Sequence, residues 1–202
     1  KGREQIFQKL TSVISKNDKV IWFHCASLGE FEQGRPILEK LKEQYPTYKF
    51  VLTFFSPSGY EVRKNYEMAD AICYLPLDTK LNAKKFLDII NPTLVVFVKY
   101  EFWPNILKEL KVREIKTILV SGIFRENQAF FKWYGCWMIK SLIAFDHFFV
   151  QDENSKLLLN NSNFLNVTVS GDTRFDRVYE ITKQNNKLPF IEDFKDDKYT
   201  LV

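Results

Sequence analysis

At 202 residues, with 46% hydrophobic and 16% aromatic content, the chain is long enough to bury one sizeable core and the beginning of a second. Its net charge of +4 comes from lysines and arginines spread along the sequence, which argues against the basic stripe of a nucleic-acid binder and leaves anionic small ligands or an anionic membrane surface open. No apolar run approaches the roughly 18 residues of a membrane span and no stretch reads as a signal peptide, while Cys25, Cys73 and Cys136, widely spaced and odd in number, read as free thiols in a reducing compartment.

The first β-rich apolar run is Val20–Cys25. It leads through the loop His24-Cys-Ala-Ser-Leu-Gly-Glu30 into a helical stretch, Phe31–Tyr45, with Ile37, Leu38 and Leu41 on one face. Further runs at Phe50–Phe55, Ala71–Leu75, Leu94–Tyr100, Thr117–Ile123, His147–Gln151 and Val167–Ser170 complete seven predicted strands. Helices are predicted between them, among others over Leu81–Ile90 and Pro104–Leu110. Pro57 and Pro104 stand where first helical turns should begin, and Pro46 and Pro92 follow helix ends. Near-continuous apolar strands alternating with helices predict an α/β fold, a Rossmann-like doubly wound parallel sheet covered on both faces. The polar stretch 179–197 reads as a linker, which makes 1–178 one domain and the strand-like residues 198–202 the start of another. With no methionine at Lys1 and a strand just starting at its end, the sequence reads as a piece of a longer chain.

An open doubly wound sheet binds ligands beyond the carboxyl ends of its strands, where strand order reverses and strands one and four are neighbours. Strand one is followed by Ser27, Gly29 and Glu30, and strand four by Glu101-Phe-Trp-Pro-Asn105, so Glu30 and Glu101 are expected to face one cleft. Glu30 could take a proton from a hydroxyl, or merely complement a helix dipole. Gly29 would let the backbone bend sharply and approach a ligand. After strand two, Ser56, Ser58 and Gly59 bring hydroxyls and N–H groups to a helix start, which suits phosphate or sugar as well as an ordinary cap. Phe102, Trp103 and Asn105 combine aromatic faces with an amide, a composition suited to a sugar ring, though Trp103 packed on its own helix is the plainer reading. Gly171-Asp-Thr-Arg174-Phe-Asp176, after the last strand, brings Arg174 to the same edge as a cation. His24 reads as a core or loop histidine that orients its neighbours. With two histidines and no Cys-x-x-Cys pair, metal-ligand spacing is missing, and neither Gly-x-Gly-x-x-Gly nor a Walker motif occurs.

In this order the pieces resemble the Kdo transferases (3-deoxy-D-manno-octulosonic acid transferases), which share a His-x-x-Ser-x-Gly-Glu loop, a Glu-x-Trp-Pro-Asn turn and a Gly-Asn-x-Lys-Phe-Asp-like segment. The likeness runs from about Val20 to Asp176, and Ser121-Gly-Ile-Phe-Arg125-Glu126 is similar to the family's strand-five loop, whose arginine marks Arg125 as a substrate contact. The resemblance implies the N-terminal, acceptor-side half of a GT-B glycosyltransferase, which moves Kdo from CMP-Kdo to a lipid A precursor with inversion and with neither metal nor cofactor. It implies Glu30 as the base, and Glu101 and Arg174 as groups that stabilise the transition state. It also implies a donor bound mainly by a C-terminal domain beyond Val202, so that this piece alone is expected to be inactive. The family is tethered to the cytoplasmic face of the bacterial inner membrane, and the stretch Phe130–Lys140 is similar to an interfacial helix, though a helix packed on the sheet fits its periodicity equally. Asp172 and Arg174 depart from the family's Asn and Lys, which keeps the cation but changes its geometry. Two rival readings are another GT-B nucleotide-sugar transferase and a non-catalytic module that binds a small anion and needs no base.

Overall fold

The computed structural model describes residues 3, 5–100, 102–132 and 135–183, with the backbone alone at 136, 137, 176, 177, 180 and 181. The order of elements is α1 (Ile6–Val13), β1 (Val20–Cys25), α2 (Leu28–Gln44), β2 (Lys49–Phe54), α3 (Pro57–Arg63), β3 (Ala71–Tyr74), α4 (Lys80–Ile90) and β4 (Pro92–Val98). It continues with α5 (Pro104–Val112), β5 (Lys116–Gly122), α6 (Cys136–Ile139), β6 (His147–Val150), α7 (Glu153–Asn161), β7 (Val167–Val169) and α8 (Thr173–Lys183). All seven predicted strands form. They pair in parallel in the order β3-β2-β1-β4-β5-β6-β7, so strand order reverses between β1 and β4 as the doubly wound reading requires.

Strand β1 shows why the sheet must be covered on both sides. Its six residues are all buried, and they alternate between two cores. Val20 and Trp22 face a core that includes Phe86 of α4 and Leu107 of α5, whereas Ile21, Phe23 and Cys25 face Phe31 and Leu38 of α2. This is the period of two expected of a strand with no wet face. Burying a side chain such as Phe23 or Leu38 is worth about 1.5–3 kcal/mol. Cys25 and Cys73 are buried free thiols, and burial pushes the Cys73 thiol up to about 12.

Three boundaries differ from expectation. Helix α2 starts at Leu28, so Gly29 and Glu30 lie inside its first turn and not in a loop ahead of it. Helix α8 runs through Tyr179 to Lys183, so the stretch expected as a linker begins as helix, while its remainder and residues 198–202 fall outside the described residues. The stretch 130–140 is not one continuous helix: its described residues include a 3₁₀ turn at Ala129–Phe131, the short α6 and the start of a further 3₁₀ turn at Lys140–Ala144. Phe130 is buried, with its ring 4.8 Å from that of Phe102, because this connection plugs the end of the core; Trp133 lies outside the described residues. Among the described residues no helix is long and apolar enough to cross a membrane.

Candidate functional site

The loop between β1 and α2 is organised around two consecutive peptide units, on either side of Ala26. The Ala26 and Ser27 N–H groups both donate to Oε2 of Glu30, at 2.5 and 3.2 Å. The Ala26 carbonyl accepts from the N–H groups of Phe55 and Ser56, at 3.2 and 2.7 Å, which ties the loop after β2 to the loop after β1. Ser27 is the N-cap of α2 and Glu30 its third residue, a reciprocal capping box written in the sequence as Ser-x-x-Glu. Helix α2 therefore begins early because its own Glu30 satisfies the N–H of the capping residue. Gly29 is exposed within that turn, and a Cβ added there would meet nothing within 4 Å, so it leaves open space beside Glu30 instead of bending the chain.

Behind this loop lies a polar network inside the apolar face. His24 is fully buried; its Nδ1 lies 2.8 Å from Thr53 Oγ1, and its Nε2 accepts from the indole N–H of Trp103 at 3.1 Å. An indole can only donate, so Nε2 carries no proton in this arrangement and Nδ1–H donates to Thr53. The Thr53 hydroxyl also accepts from Trp22 Nε1 at 2.8 Å and donates to the Phe23 carbonyl at 3.3 Å. One hydroxyl thus uses both lone pairs and its proton.

After β4, Trp103 stands at the N-cap position of α5 without a side-chain capping bond, and its ring packs 4.8 Å from that of Phe55. Asn105 is turned to structural use: its backbone N–H donates to Asp78 Oδ2 at 3.0 Å and its side-chain amide to the Asp78 carbonyl at 2.8 Å. Asp78 Oδ1 also accepts from the Ile106 N–H at 2.9 Å, so a residue from the loop after β3 caps α5. Glu101 lies outside the described residues.

Ser56 caps α3, its hydroxyl accepting from the Ser58 N–H at 3.3 Å, and the two hydroxyls lie 3.0 Å apart. Gly59 faces inward: a Cβ there would sit 2.2 Å from the Phe54 ring, so that glycine permits packing of α3 on β2. Arg125 is exposed on the loop after β5, where its N–H donates to Gln128 Oε1 at 3.0 Å.

The segment after β7 reaches back to α2. Gln33, fully buried and one turn beyond Glu30, donates from Nε2 to Asp172 Oδ1 at 2.9 Å. Asp172 Oδ2 takes the Arg174 guanidinium, with Nε at 2.7 Å and Nη2 at 2.5 Å, and Oδ1 takes the Arg174 N–H at 3.0 Å. Burial opposes ionisation of Asp172, but the hydrogen bonds from Arg174 and Gln33 outweigh it and hold the carboxyl at about 2. Gly171, at a φ of +78°, makes the left-handed turn that delivers this segment. The glutamate-bearing helix and the arginine-bearing segment are thus joined through Asp172 and through Gln33, which sequence reasoning passed over. Gln33 and Thr53 could have been found as polar residues on otherwise buried faces; Asp78 carried no such signal.

Among the described residues no group of three or more His, Cys, Asp or Glu is placed to hold a metal ion.

A family model described as 3-deoxy-D-manno-octulosonic-acid transferase (kdotransferase) matches residues 2–177. The chain is 37% identical over 102 residues to a 3-deoxy-D-manno-octulosonic acid transferase of Aquifex aeolicus, a match covering 50% of this chain and 28% of the relative. It is 31% identical over 104 residues to the transferase of that name from Haemophilus influenzae, covering 50% and 24%. To that of Chlamydia pneumoniae it is 30% identical over 140 residues, covering 68% of this chain and 32% of the relative. The chain therefore spans about a quarter to a third of these relatives' length. Among solved structures, a UDP-N-acetylglucosamine 2-epimerase superposes with a TM-score of 0.63 at 13% identity, over 87% of this chain and 54% of its own. The UDP-GlcNAc 2-epimerase from Neisseria meningitidis, bound to UDP-GlcNAc, gives 0.57 at 18% identity, over 77% and 47%. These likenesses concern the fold alone, over about half of each solved chain.

Proposed function

Because the chain belongs to the 3-deoxy-D-manno-octulosonic-acid transferase family, we propose that the protein containing it transfers Kdo from CMP-Kdo to a lipid A precursor, with Glu30 as general base. The observation that carries this reading is the hold of two backbone amides on the Glu30 carboxylate at the carboxyl end of β1, where strand order reverses. A carboxylate offers about four lone-pair sites, so two amide donors orient it without exhausting its capacity to accept a proton. Open space above Gly29 gives an acceptor sugar room beside it.

In the proposed reaction the acceptor hydroxyl oxygen attacks the anomeric carbon of Kdo from the face opposite CMP. The C–O bond to the CMP phosphate breaks, CMP leaves with the bonding pair, and the hydroxyl proton passes to Glu30, giving inversion without a metal. Arg174, released from Asp172, and Glu101 are assigned to the charge that develops as CMP departs. Ser27, Ser56, Ser58 and Arg125 are assigned to substrate contacts; Asn105 serves by holding its turn through Asp78. The donor is assigned mainly to a second domain, and the reaction to the cytoplasmic face of the inner membrane, where a lipid acceptor would lie. The test is donor choice: the full-length protein, given a lipid A precursor, should yield a Kdo-bearing product and CMP from CMP-Kdo. Transfer from a UDP-sugar, with none from CMP-Kdo, would overturn the assignment.

A further inference from the structure

We propose that His24 is a positioning residue for this reaction: its Nε2 holds the Trp103 indole, and with it the turn between β4 and α5, in register with the Glu30 loop. The inference rests on the reading of Glu30 as base. His24 belongs to both sides of the switch point, since its backbone runs two residues later into the Ala26 peptide that fixes Glu30, and its side chain reaches across to Trp103.

Thr53 Oγ1 accepts from both Trp22 Nε1 and His24 Nδ1 and donates to the Phe23 carbonyl, so a rotated imidazole would strand buried donors. These bonds aim the Nε2 lone pair at the indole. On its other side the indole packs against Phe55, whose N–H is bonded to the Ala26 carbonyl. Trp103 is therefore clamped between two residues that are each anchored to the loop of Glu30. In the chain it stands two residues after Glu101 and two before Asn105. Loss of the indole's acceptor would let that turn drift by a fraction of an ångström, which costs turnover more than affinity.

The experiment compares two amides at position 24 in the full-length protein. A glutamine carries an acceptor to the place of Nε2, whereas an asparagine can replace the Nδ1 donor to Thr53 but cannot reach the indole. With CMP-Kdo and a lipid A precursor, His24→Asn is expected to lower kcat roughly tenfold or more with KM within about twofold, and His24→Gln to recover most of it. Trp103→Phe, which removes the same hydrogen bond from the other end, should match His24→Asn and add little to it in the double variant. In protein labelled with 5-fluorotryptophan, the ¹⁹F resonance assigned to Trp103 by its loss in Trp103→Phe should move or broaden in His24→Asn and stay in place in His24→Gln. Equal activity of the two amide variants, with an unmoved Trp103 resonance, would overturn the proposal. Should His24→Asn fail to fold, Trp103→Phe decides: a kcat loss of roughly tenfold or more with KM within about twofold supports positioning, and a kcat within about twofold of the native protein contradicts it. If Glu30→Gln proves active, the base assignment fails on its own, and the resonance contrast still tests the clamp.

Discussion

Gln33 and Asp172 stand 139 positions apart in the chain and are joined by a 2.9 Å hydrogen bond that ties helix α2, which carries Glu30, to the segment that carries Arg174. The bond has a fixed sense, because a carboxylate can only accept, so the Gln33 amide must present Nε2. Gln33→Glu would set two carboxylates together at a buried contact and is expected to destabilise the protein by about 2–4 kcal/mol, read by urea unfolding at neutral pH. An unchanged midpoint would mean that the α2–α8 contact is not formed.

Asp172 gives that contact a pH dependence. Its folded-state value of about 2 lies below the ordinary value of 3.8, so its contribution to stability is present above about pH 4 and is lost as pH falls toward 2. The stability difference between the native protein and Asp172→Asn should therefore shrink steadily between about pH 5 and pH 2. Denaturant midpoints of the two proteins at pH 5 and pH 3 check this, and a constant gap would contradict it.

Thr53 is the hub of the buried network. Thr53→Val keeps the shape and removes the acceptor for Trp22 Nε1 and His24 Nδ1, two buried donors at about 1–3 kcal/mol each, so a loss of about 2–6 kcal/mol is expected. Thr53→Ser, which keeps the hydroxyl, should cost about 1 kcal/mol. Similar losses for both, measured by equilibrium unfolding, would show that packing and not the hydroxyl matters there.

Two glycines separate structure from ligand. Gly59→Ala should destabilise by about 1–3 kcal/mol, since its Cβ would meet the Phe54 ring at 2.2 Å. Gly29→Ala should raise stability by about 0.5–1 kcal/mol, since it lies in a helix with nothing within 4 Å. If an acceptor approaches over Gly29, the same variant raises KM for the acceptor, and thermal unfolding together with acceptor titration reads both effects. Stabilisation with unaltered kinetics would remove Gly29 from the site.

The sheet was legible because its strands are apolar runs bounded by helical periods and proline-marked starts, and the β1–β4 adjacency follows from the doubly wound order. Ser27 and Glu30 were legible as site candidates, yet their capping box, which moves the start of α2 to Leu28, was not drawn from the Ser-x-x-Glu spacing. The stretch 130–140 reads as one helix from its amphipathic composition, whereas its described residues are divided between 3₁₀ and α turns, with Phe130 in the core. Long-range polar partners such as Gln33 with Asp172, or Asp78 with Asn105, leave no local periodicity, so a single sequence does not pair them.

The role of Glu30 is tested most directly by steady-state transfer from CMP-Kdo to a lipid A precursor with the full-length protein and its Glu30→Gln variant. Glutamine keeps the size and an oxygen for the Ala26 and Ser27 amides but cannot take a proton. Turnover should fall by about a hundredfold or more while unfolding stability stays within about 1 kcal/mol. Near-normal turnover in Glu30→Gln would contradict the account.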